Sequence, residues 1–182
     1  MSESCHDRSV GVGHPVGCSS VEHMADTRIV VRQARDDELE QVVRLRWAWT
    51  VDDRGERPDM SEGEYVTAAA DWARSHAASH IPFVAVAEAQ IVGMAWLALA
   101  PRVPTMRSLD RVSGDLQSCY VLPSYRNRGV GGRLVHAVLE AARDREVEHV
   151  TVHTSPDSIA MYARNGFAAH PRLLFADTTR TA

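Results

Sequence analysis

The chain has 182 residues, of which 45% are apolar and 24% are charged, and its formal net charge is −4. This length suits one domain with a substantial hydrophobic core and is short for two. The negative charge argues against general affinity for nucleic acid or anionic membranes, because there is no overall positive field. No segment reaches the roughly 20 apolar residues of a membrane-spanning helix, and the start lacks a signal-peptide pattern. With three cysteines in no obvious disulfide framework, we expect a cytoplasmic protein.

Residues 1–25 are rich in Ser, Gly and His and show neither helical nor strand periodicity. This composition predicts a disordered tail, followed by a single domain over residues 26–182. Translation from Met24 is an alternative that would place residues 1–23 outside the native protein. We expect no metal site in the tail, because the spacing of its cysteines and histidines matches no standard zinc pattern: Cys5, His6, His14, Cys18 and His23.

The first part of the domain predicts a strand, a helix and an acidic connector. Residues alternate as in a strand from Arg28 to Ala34, and apolar residues then recur at helical spacing from Leu39 to Trp49. The connector runs from Val51 to Glu64 and holds six carboxylates against two arginines, a net charge of −4. Such a run is commonly a solvated loop, but its carboxylates could also attract a cationic ligand.

A second helix is predicted over Ser61 to Ala78, followed by a hairpin with strands at Phe83 to Ala87 and Ile91 to Leu99. A loop with two prolines and three arginines is expected from Pro101 to Gly114, before a central strand that ends near Val121. The second helix is expected to bury three residues at helical spacing, Tyr65, Ala69 and Trp72.

After the central strand, an amphipathic helix begins near Gly129. A further strand is predicted from Glu148 to His153 and a short helix from Ser155 to Arg164. A final strand is predicted from Phe167 to Phe175, although Pro171 interrupts it.

The loop between the central strand and its helix is suited to a phosphate. Gly129, Gly131 and Gly132 lack a Cβ atom, so a ligand can approach the main chain closely. The first N–H groups of the following helix have no partner within the helix and lie at the positive end of its dipole. The thirteen residues from Val121 to Arg133 contain three arginines and no acid. This combination predicts a ligand that carries several negative charges.

Two common phosphate-binding patterns do not fit this loop. The Walker pattern requires a Lys-Ser/Thr pair after the glycines, and no such pair follows them. A dinucleotide fingerprint requires a third glycine where Leu134 stands. The pattern that fits is Arg-x-x-Gly-x-Gly, filled by Arg126, Gly129 and Gly131.

Together with a second segment, Ala-Met-Tyr-Ala-Arg-Asn-Gly-Phe at residues 160–167, this signature resembles the GNAT family of acetyl-CoA-dependent N-acetyltransferases. The resemblance covers roughly residues 27–175. It implies an α/β (α+β) fold with a mixed, mostly antiparallel central sheet flanked by helices, in which the fourth and fifth strands splay apart. It also implies acetyl-CoA as cosubstrate and acetyl transfer to a primary amine. A small molecule is favoured as the acceptor over a protein N-terminus or lysine.

The resemblance also implies which residues hold the cofactor. The backbone of the central strand would pair with the pantetheine arm, while loop amides and arginines would bind the diphosphate. Ser155 stands where many relatives have a cofactor-binding Asn. The residues implicated are Cys119, Tyr120, Val121, Arg126, Asn127, Arg128, Gly129, Val130, Gly131, Gly132, Arg133, Ser155 and Tyr162.

Three residues are catalytic candidates: Tyr162, His153 and Gln117. Tyr162 matches the family's general acid, which protonates the leaving thiolate. Many relatives carry a Glu on the central strand near the position of Gln117, and Gln cannot accept a proton at neutral pH. The base is therefore open between Asp115, His153 and a water held by Gln117, of which His153 has the most suitable intrinsic pKa. Direct transfer is expected, so Cys119 is not assigned as a covalent nucleophile.

Other functions remain open from the sequence. The Gln in place of an acid leaves room for a non-catalytic CoA-binding sensor, and a different nucleotide-binding enzyme is a third hypothesis. No segment specifies an interface, so a homodimer is an alternative to a monomer. Trp47, Trp49 and Trp96 are candidates for the wall of an acceptor pocket or for the core.

Overall fold

Five strands and four α-helices form the part of the protein described by the computed structural model, residues 28–178. The strands are β1 Ile29–Gln33, β2 His80–Ala87, β3 Gln90–Arg102, β4 Arg111–Val121 and β5 Val150–Val152. The helices are α1 Leu39–Trp47, α2 Glu62–Ser75, α3 Val130–Arg143 and α4 Ile159–Arg164. A π-helical segment, Ala48–Asp53, continues α1. The predicted disordered tail and its metal hypothesis lie outside the described residues.

The strands form one sheet in the order β1-β2-β3-β4-β5. Neighbours from β1 to β4 pair antiparallel, whereas β5 pairs parallel with β4, from Gly114–Val150 to Leu116–Val152. β4 continues beyond this pairing, so the segment from Gln117 to Val121 has β3 on one edge and no strand on the other. The predicted mixed, mostly antiparallel sheet flanked by helices is confirmed.

Helices cover both faces of the sheet. α3 packs on one face and buries an apolar stripe against the strands: Leu134, Val135, Val138 and Ala142 against Phe83, Leu97 and Leu116. α1 and α2 pack on the other face and bury a second cluster: Val42, Val43, Val66 and Ala70 against Val84, Met94, Trp96 and Tyr120. None of the helices within residues 28–178 is long and apolar enough to cross a membrane.

One extra residue interrupts the pairing of β4 with β3. Between the paired residues Gln117 and Tyr120, β4 has two residues, Ser118 and Cys119, where β3 has one. Ser118 adopts a left-handed backbone conformation with a φ of 54°. This β-bulge bends the strand and changes the direction of the side chains that follow it.

The predicted loop from Pro101 to Gly114 is wrong at both ends. β3 runs to Arg102 and β4 begins at Arg111, and these two residues are paired across the strands. Like charges directly opposite each other destabilise a strand pair. Here both guanidinium groups donate to Glu148, each at 2.6 Å, so the distant carboxylate offsets their repulsion. The composition of the loop contained no sign of this partner.

The predicted final strand from Phe167 to Phe175 is also wrong, because no strand follows β5 within the described residues. Pro171 removes a backbone donor from the middle of the segment. The apolar residues Leu173, Leu174 and Phe175 are exposed rather than buried against a neighbouring face. An apolar run without a surface to cover does not form a strand here.

Candidate active site

A large groove of about 1090 Å³ opens where β4 continues beyond β5. Its wall is formed by the bulged end of β4, the loop and first turn of α3, and the residues around α4. Twelve of the fifteen site residues predicted from the sequence line it, so both sequence motifs converge on one place. They are Cys119, Tyr120, Val121, Arg126, Asn127, Gly129, Val130, Gly131, Gly132, His153, Ser155 and Tyr162.

The first turn of α3 offers main-chain donors to the large groove. Gly129 precedes the helix in a left-handed conformation with a φ of 74°, which a glycine adopts at little cost. No side chain caps this helix, so the amides from Val130 to Gly132 remain available to an anion. A Cβ atom on Gly131 would meet only Met161 Cε, at 4.0 Å. Protein atoms therefore leave this corner open to a ligand.

Arg126 connects two walls of the large groove. Its Nη2 donates to Asp53 Oδ2 at 2.5 Å, and its Nε donates to the carbonyl of Val121 at 2.9 Å. The Tyr120 hydroxyl donates to the same Asp53 oxygen at 3.1 Å. Burial and the Asp53 charge raise the pKa of Tyr120. The predicted phosphate ligand Arg126 is thus in the groove but is paired with a carboxylate from the π-helical segment.

The structure does not bring Arg128 and Arg133 into the large groove. Arg128 lies over the ring of Tyr125, with Cζ 5.6 Å from the ring centroid. Arg133 points toward β1, where it donates to the carbonyl of Ile29. Both guanidinium groups therefore have contacts elsewhere. Two other arginines line the groove and supply positive charge there. These are Arg54 and Arg164, beside Arg126.

Tyr162 and Cys119 form a buried pair in the wall of the large groove. Tyr162 is 7% exposed, and its side chain interacts electrostatically with the Cys119 thiol. Burial and the neighbouring Cys119 raise the pKa of Tyr162. Burial raises the pKa of Cys119 to about 11, although the interaction with Tyr162 opposes the rise. At neutral pH Tyr162 is therefore a proton donor, and Cys119 is a thiol rather than a thiolate.

His153 and Ser155 lie on the opposite wall, in the segment after β5. The His153 ring packs edge-on against Phe175, with 5.1 Å between ring centroids. Ser155 Oγ is 3.4 Å from Ser158 Oγ. Both predicted residues line the large groove, and neither lines the smaller cavity that is described next.

The second cavity, called the small cavity below, has a volume of about 240 Å³ and lies between the sheet, α1 and α2. Ser118 lines both the small cavity and the large groove, so the two spaces lie next to each other at the β-bulge. Trp96 forms part of its wall. Of the other two tryptophans singled out from the sequence, Trp49 lines the large groove and Trp47 packs on Tyr65, with centroids 5.5 Å apart.

The α2 wall of the small cavity corrects a prediction. Tyr65, Ala69 and Trp72 were expected to be buried, but Trp72 is 45% exposed, and Tyr65 and Ala69 are half-buried against the core cluster. All three line this cavity. The residues that α2 buries in the core are Val66, Ala70 and Ala73. The helix has two apolar stripes, and spacing alone does not distinguish the stripe that packs from the stripe that borders a cavity.

Arg46, from α1, is the cation of the small cavity. Its Nη1 donates to Ser118 Oγ at 3.1 Å, and its Cζ lies 4.6 Å from the ring centroid of Trp49. Burial raises the pKa of the nearby Tyr65, and the Arg46 charge opposes this rise. Within the described part of the chain, no carboxylate lies within 4.0 Å of the Arg46 guanidinium.

Gln117 lines the small cavity but is tied to Asp115. Its Nε2 donates to Asp115 Oδ2 at 2.9 Å, and Thr151 Oγ1 donates to Asp115 Oδ1 at 2.9 Å. Asp115 itself does not line the cavity. Both oxygens of this carboxylate are therefore engaged by neighbouring side chains outside the cavity.

His80, the first residue of β2, is the histidine of the small cavity. Its ring packs edge-on against Trp72, with centroids 4.8 Å apart and an interplanar angle of 67°, and its Nδ1 lies 3.0 Å from Ser79 Oγ. Burial lowers the pKa of His80, and His76 lowers it further. His80 is therefore neutral at pH 7. Its Nε2 has no hydrogen-bond partner within residues 28–178.

Sequence reasoning missed Asp53, Arg46 and His80 as site residues. Each lies in a segment with a commoner explanation, respectively an acidic connector, an amphipathic helix and the start of a strand. Packing of α1 and α2 on the sheet brings them to the site. Only the strand register, which pairs Pro82 with Trp96, puts His80 on the face that carries the cavity. No local motif encodes that register.

Comparisons with known proteins match most of the chain. The model of the family described as "Acetyltransferase (GNAT) family" matches residues 39–167. A curated relative, the glucosamine 6-phosphate N-acetyltransferase of Trypanosoma brucei brucei, is 32% identical over 88 residues. The aligned region is 48% of this chain and 58% of that protein, so the chain spans little more than half of this relative.

Solved structures share the fold. A predicted acetyltransferase from Clostridium acetobutylicum, crystallised with acetyl-CoA, superposes with a TM-score of 0.67 at 17% identity, over 84% of this chain and 97% of that one. At that identity the likeness concerns the fold alone. An acetyltransferase from Trypanosoma brucei superposes with a TM-score of 0.63 at 27% identity, over 82% of this chain and 99% of that one.

Proposed function

Because the chain belongs to the GNAT family of acetyltransferases, we propose that it transfers the acetyl group of acetyl-CoA to a primary amine of a small molecule. The family match confirms the predicted family and, with it, the enzyme class of acyltransferases. The donor, the acceptor and the roles of individual residues are the proposal.

The large groove is proposed as the donor site. Its volume of about 1090 Å³ lies slightly above the usual range for ligand pockets, as a long cofactor requires. The uncapped first turn of α3 would bind the diphosphate, and the open corner at Gly131 leaves room for it. The free edge of β4 at Cys119 and Val121 would pair with the amide-bearing arm of the cofactor, as an added strand pairs with a sheet edge.

The small cavity is proposed as the acceptor site, because it lies next to the large groove at the bulged strand, where Ser118 lines both. An alkylamine with a pKa of ~10.4 is ~3.4 units above neutral pH, so its deprotonation costs roughly 4.6 kcal/mol. Among the residues that line this cavity, His80 is the one that accepts a proton near pH 7, directly or through a water. His80 thus joins the candidates Asp115, His153 and a water held by Gln117, and its position in the cavity favours it.

Tyr162 is proposed as the acid. Acetyl-CoA supplies an acetyl group activated as a thioester, and the departing sulfur needs a proton. The Tyr162 hydroxyl is protonated at neutral pH and lies in the wall of the large groove beside Cys119. The raised pKa of Cys119, about 11, argues against a covalent acyl-Cys119 and supports direct attack by the amine. The new C–N bond then forms as the C–S bond breaks, with one proton lost from nitrogen and one gained by sulfur.

The observation that carries this proposal is the position of Ser118, which lines both a groove with cofactor features and a partly open cavity that contains a neutral histidine. The test is release of free CoA thiol from acetyl-CoA across a panel of amines, amino acids, polyamines and aminoglycosides. We expect at least one amine to raise thiol release above hydrolysis, and Tyr162→Phe to lower kcat by about 10- to 100-fold with little change in donor Kd. Binding of CoA without acetylation of any amine would instead support the non-catalytic CoA-binding sensor.

A further inference from the structure

The charge of the small cavity is one-sided. Its lining contains one permanently charged residue, Arg46, and no Asp or Glu. The other polar side chains are neutral at pH 7, including His80 with its lowered pKa and Tyr65 with its raised pKa. A cationic acceptor would therefore meet a guanidinium and no carboxylate. Two like charges in a partly buried space repel each other strongly.

Arg46 also has unused hydrogen-bonding capacity. A guanidinium carries five N–H donors in a planar fork. One nitrogen, Nη1, donates to Ser118 Oγ, and the guanidinium group lies over the ring of Trp49. Within residues 28–178 no carboxylate shares this charge. The neighbouring Arg44 shows the contrast, because its Nε is 3.1 Å from Glu62 Oε1.

The acidic connector does not supply the missing negative charge. Asp53 is engaged by Arg126 and Tyr120 on the large-groove side, and Glu64 caps the start of α2 through Ser61. None of the six carboxylates of the connector lines the small cavity. The hypothesis that this connector attracts a cationic amine into the acceptor site therefore has no support from the positions of its side chains.

We propose that the acceptor carries a carboxylate or phosphate group in addition to its amine, and that Arg46 binds this anionic group in the small cavity. The inference rests on the proposed acetyl transfer and specifies its substrate class. An anion on Arg46 would lie next to Ser118, which lines both the cavity and the large groove. The volume of about 240 Å³ suits an acceptor with few atoms between its anionic group and its amine.

The test uses matched pairs of acceptors in the full-length protein at saturating acetyl-CoA. β-Alanine is compared with propylamine for the carboxylate, phosphoethanolamine with ethanolamine for the phosphate, and spermidine serves as the cationic acceptor. Each is measured with wild type, Arg46→Gln, the conservative Arg46→Lys, and Arg44→Gln as the control from the same helix. Titration calorimetry of acetyl-CoA monitors the donor site, and calorimetry of each acceptor into the protein–CoA complex gives binding without turnover.

We expect the anionic member of at least one pair to have a kcat/KM about 10-fold or more above its neutral partner, since hydrogen bonds to charged groups contribute strongly. Arg46→Gln should bring the ratio close to 1, Arg46→Lys should keep part of it, and Arg44→Gln should leave it unchanged. The pair that responds identifies the carboxylate or the phosphate.

The outcomes separate the two proposals. If spermidine or the neutral amines are acetylated with a kcat/KM equal to that of the anionic ones, the role of Arg46 is overturned while acetyl transfer stands. If no amine is acetylated but anion-selective binding is seen and is lost in Arg46→Gln, the anion site stands and the proposed function fails. Absence of anion selectivity in both turnover and binding overturns this inference.

Discussion

Asp53 and Arg126 form an ion pair inside the large groove, with the carboxylate Oδ2 2.5 Å from Nη2. Arg126 is also the residue that the sequence motif assigns to the diphosphate of the cofactor. A bound diphosphate and the Asp53 carboxylate would therefore compete for one guanidinium. The Arg126 side chain is 45% exposed and the Asp53 side chain is 28% exposed, so the pair stabilises the protein by about 1 kcal/mol or less. We therefore expect Asp53 to orient the arginine at a small cost in cofactor affinity.

Asp53→Asn should tighten CoA binding, because it removes the competing charge while a side chain of similar size remains. The expected change is a decrease in Kd by a factor of about 2–5, corresponding to the modest energy of an exposed pair. Titration calorimetry with CoA measures it. Asp52→Asn is the matched control, since Asp52 is adjacent and does not line the groove. A weaker Kd in Asp53→Asn would mean that the pair assists binding by holding Arg126.

Gly131→Asp should abolish CoA binding while leaving the fold intact. The site has room for a side chain in the free protein, since the nearest atom to a Cβ is Met161 Cε at 4.0 Å. The introduced carboxylate would repel a diphosphate at the start of α3. We expect Kd to rise about 100-fold or more, against a few-fold for Gly131→Ala, with similar Tm values. An unchanged Kd in Gly131→Asp would place the diphosphate elsewhere.

The pH dependence of acetyl transfer should report on His80. Its pKa is lowered from the ordinary 6.5, so the neutral, proton-accepting form persists below that pH. We expect kcat/KM to fall on the acid side with a midpoint below 6.5, and His80→Gln to lower kcat/KM by about 100-fold and remove this limb. His76→Gln should move the midpoint upward, because His76 contributes to lowering the pKa of His80. Loss of the limb in His153→Gln instead would assign the base to His153.

Glu38 should make stability fall in acid. It is 8% exposed, and Arg32 binds both its oxygens, at 2.6 and 2.7 Å. Hydrogen bonding by Arg32 first, and then by the Arg35 backbone and side chain, lowers the pKa of Glu38 from 4.5 to about 2. Because the folded pKa lies below the unfolded one, this stabilisation is fully present above pH 4.5 and is lost as the pH falls toward 2. It amounts to about 3 kcal/mol.

Denaturant unfolding from pH 7 to pH 2 measures this contribution. Glu38→Gln should lower the free energy of unfolding at pH 7 by about 2–4 kcal/mol and flatten its decline between pH 4.5 and 2. The adjacent Asp37→Asn, whose side chain is 80% exposed, should change little. An equally steep decline in Glu38→Gln would attribute the acid sensitivity to other carboxylates.

The lining of the large groove, the proposed donor site, was predictable from the sequence because it is local. The end of β4, the glycine loop and the first turn of α3 follow one another in the chain, and their chemistry depends on the backbone and on glycine. The lining of the small cavity, the proposed acceptor site, was not predictable, because Arg46, Tyr65, His80 and Gln117 come from four separate elements. Their meeting depends on how α1 and α2 sit on the sheet, which no residue pattern in any one element specifies.

Alternation along β4 failed as a guide for a related reason. Leu116 packs in the α3 cluster, and regular alternation would put Tyr120 there as well. Tyr120 instead packs with α1 and α2, while Cys119 and Val121 pack on the α3 side. The left-handed conformation of Ser118 produces this change, and a serine in the sequence does not predict such a conformation.

The extra residue of the bulge determines on which face of the sheet every later side chain of β4 lies. Shortening the strand by one position at Ser118 would turn Cys119 away from Tyr162 and Tyr120 away from Asp53, although every remaining side chain kept its identity. Exchanging Ser118 for another residue would cost only one contact with Arg46 and some backbone strain. The orientation of Cys119 and Tyr120 therefore depends on the number of residues in this strand. The protein should tolerate substitution of Ser118 far better than its deletion.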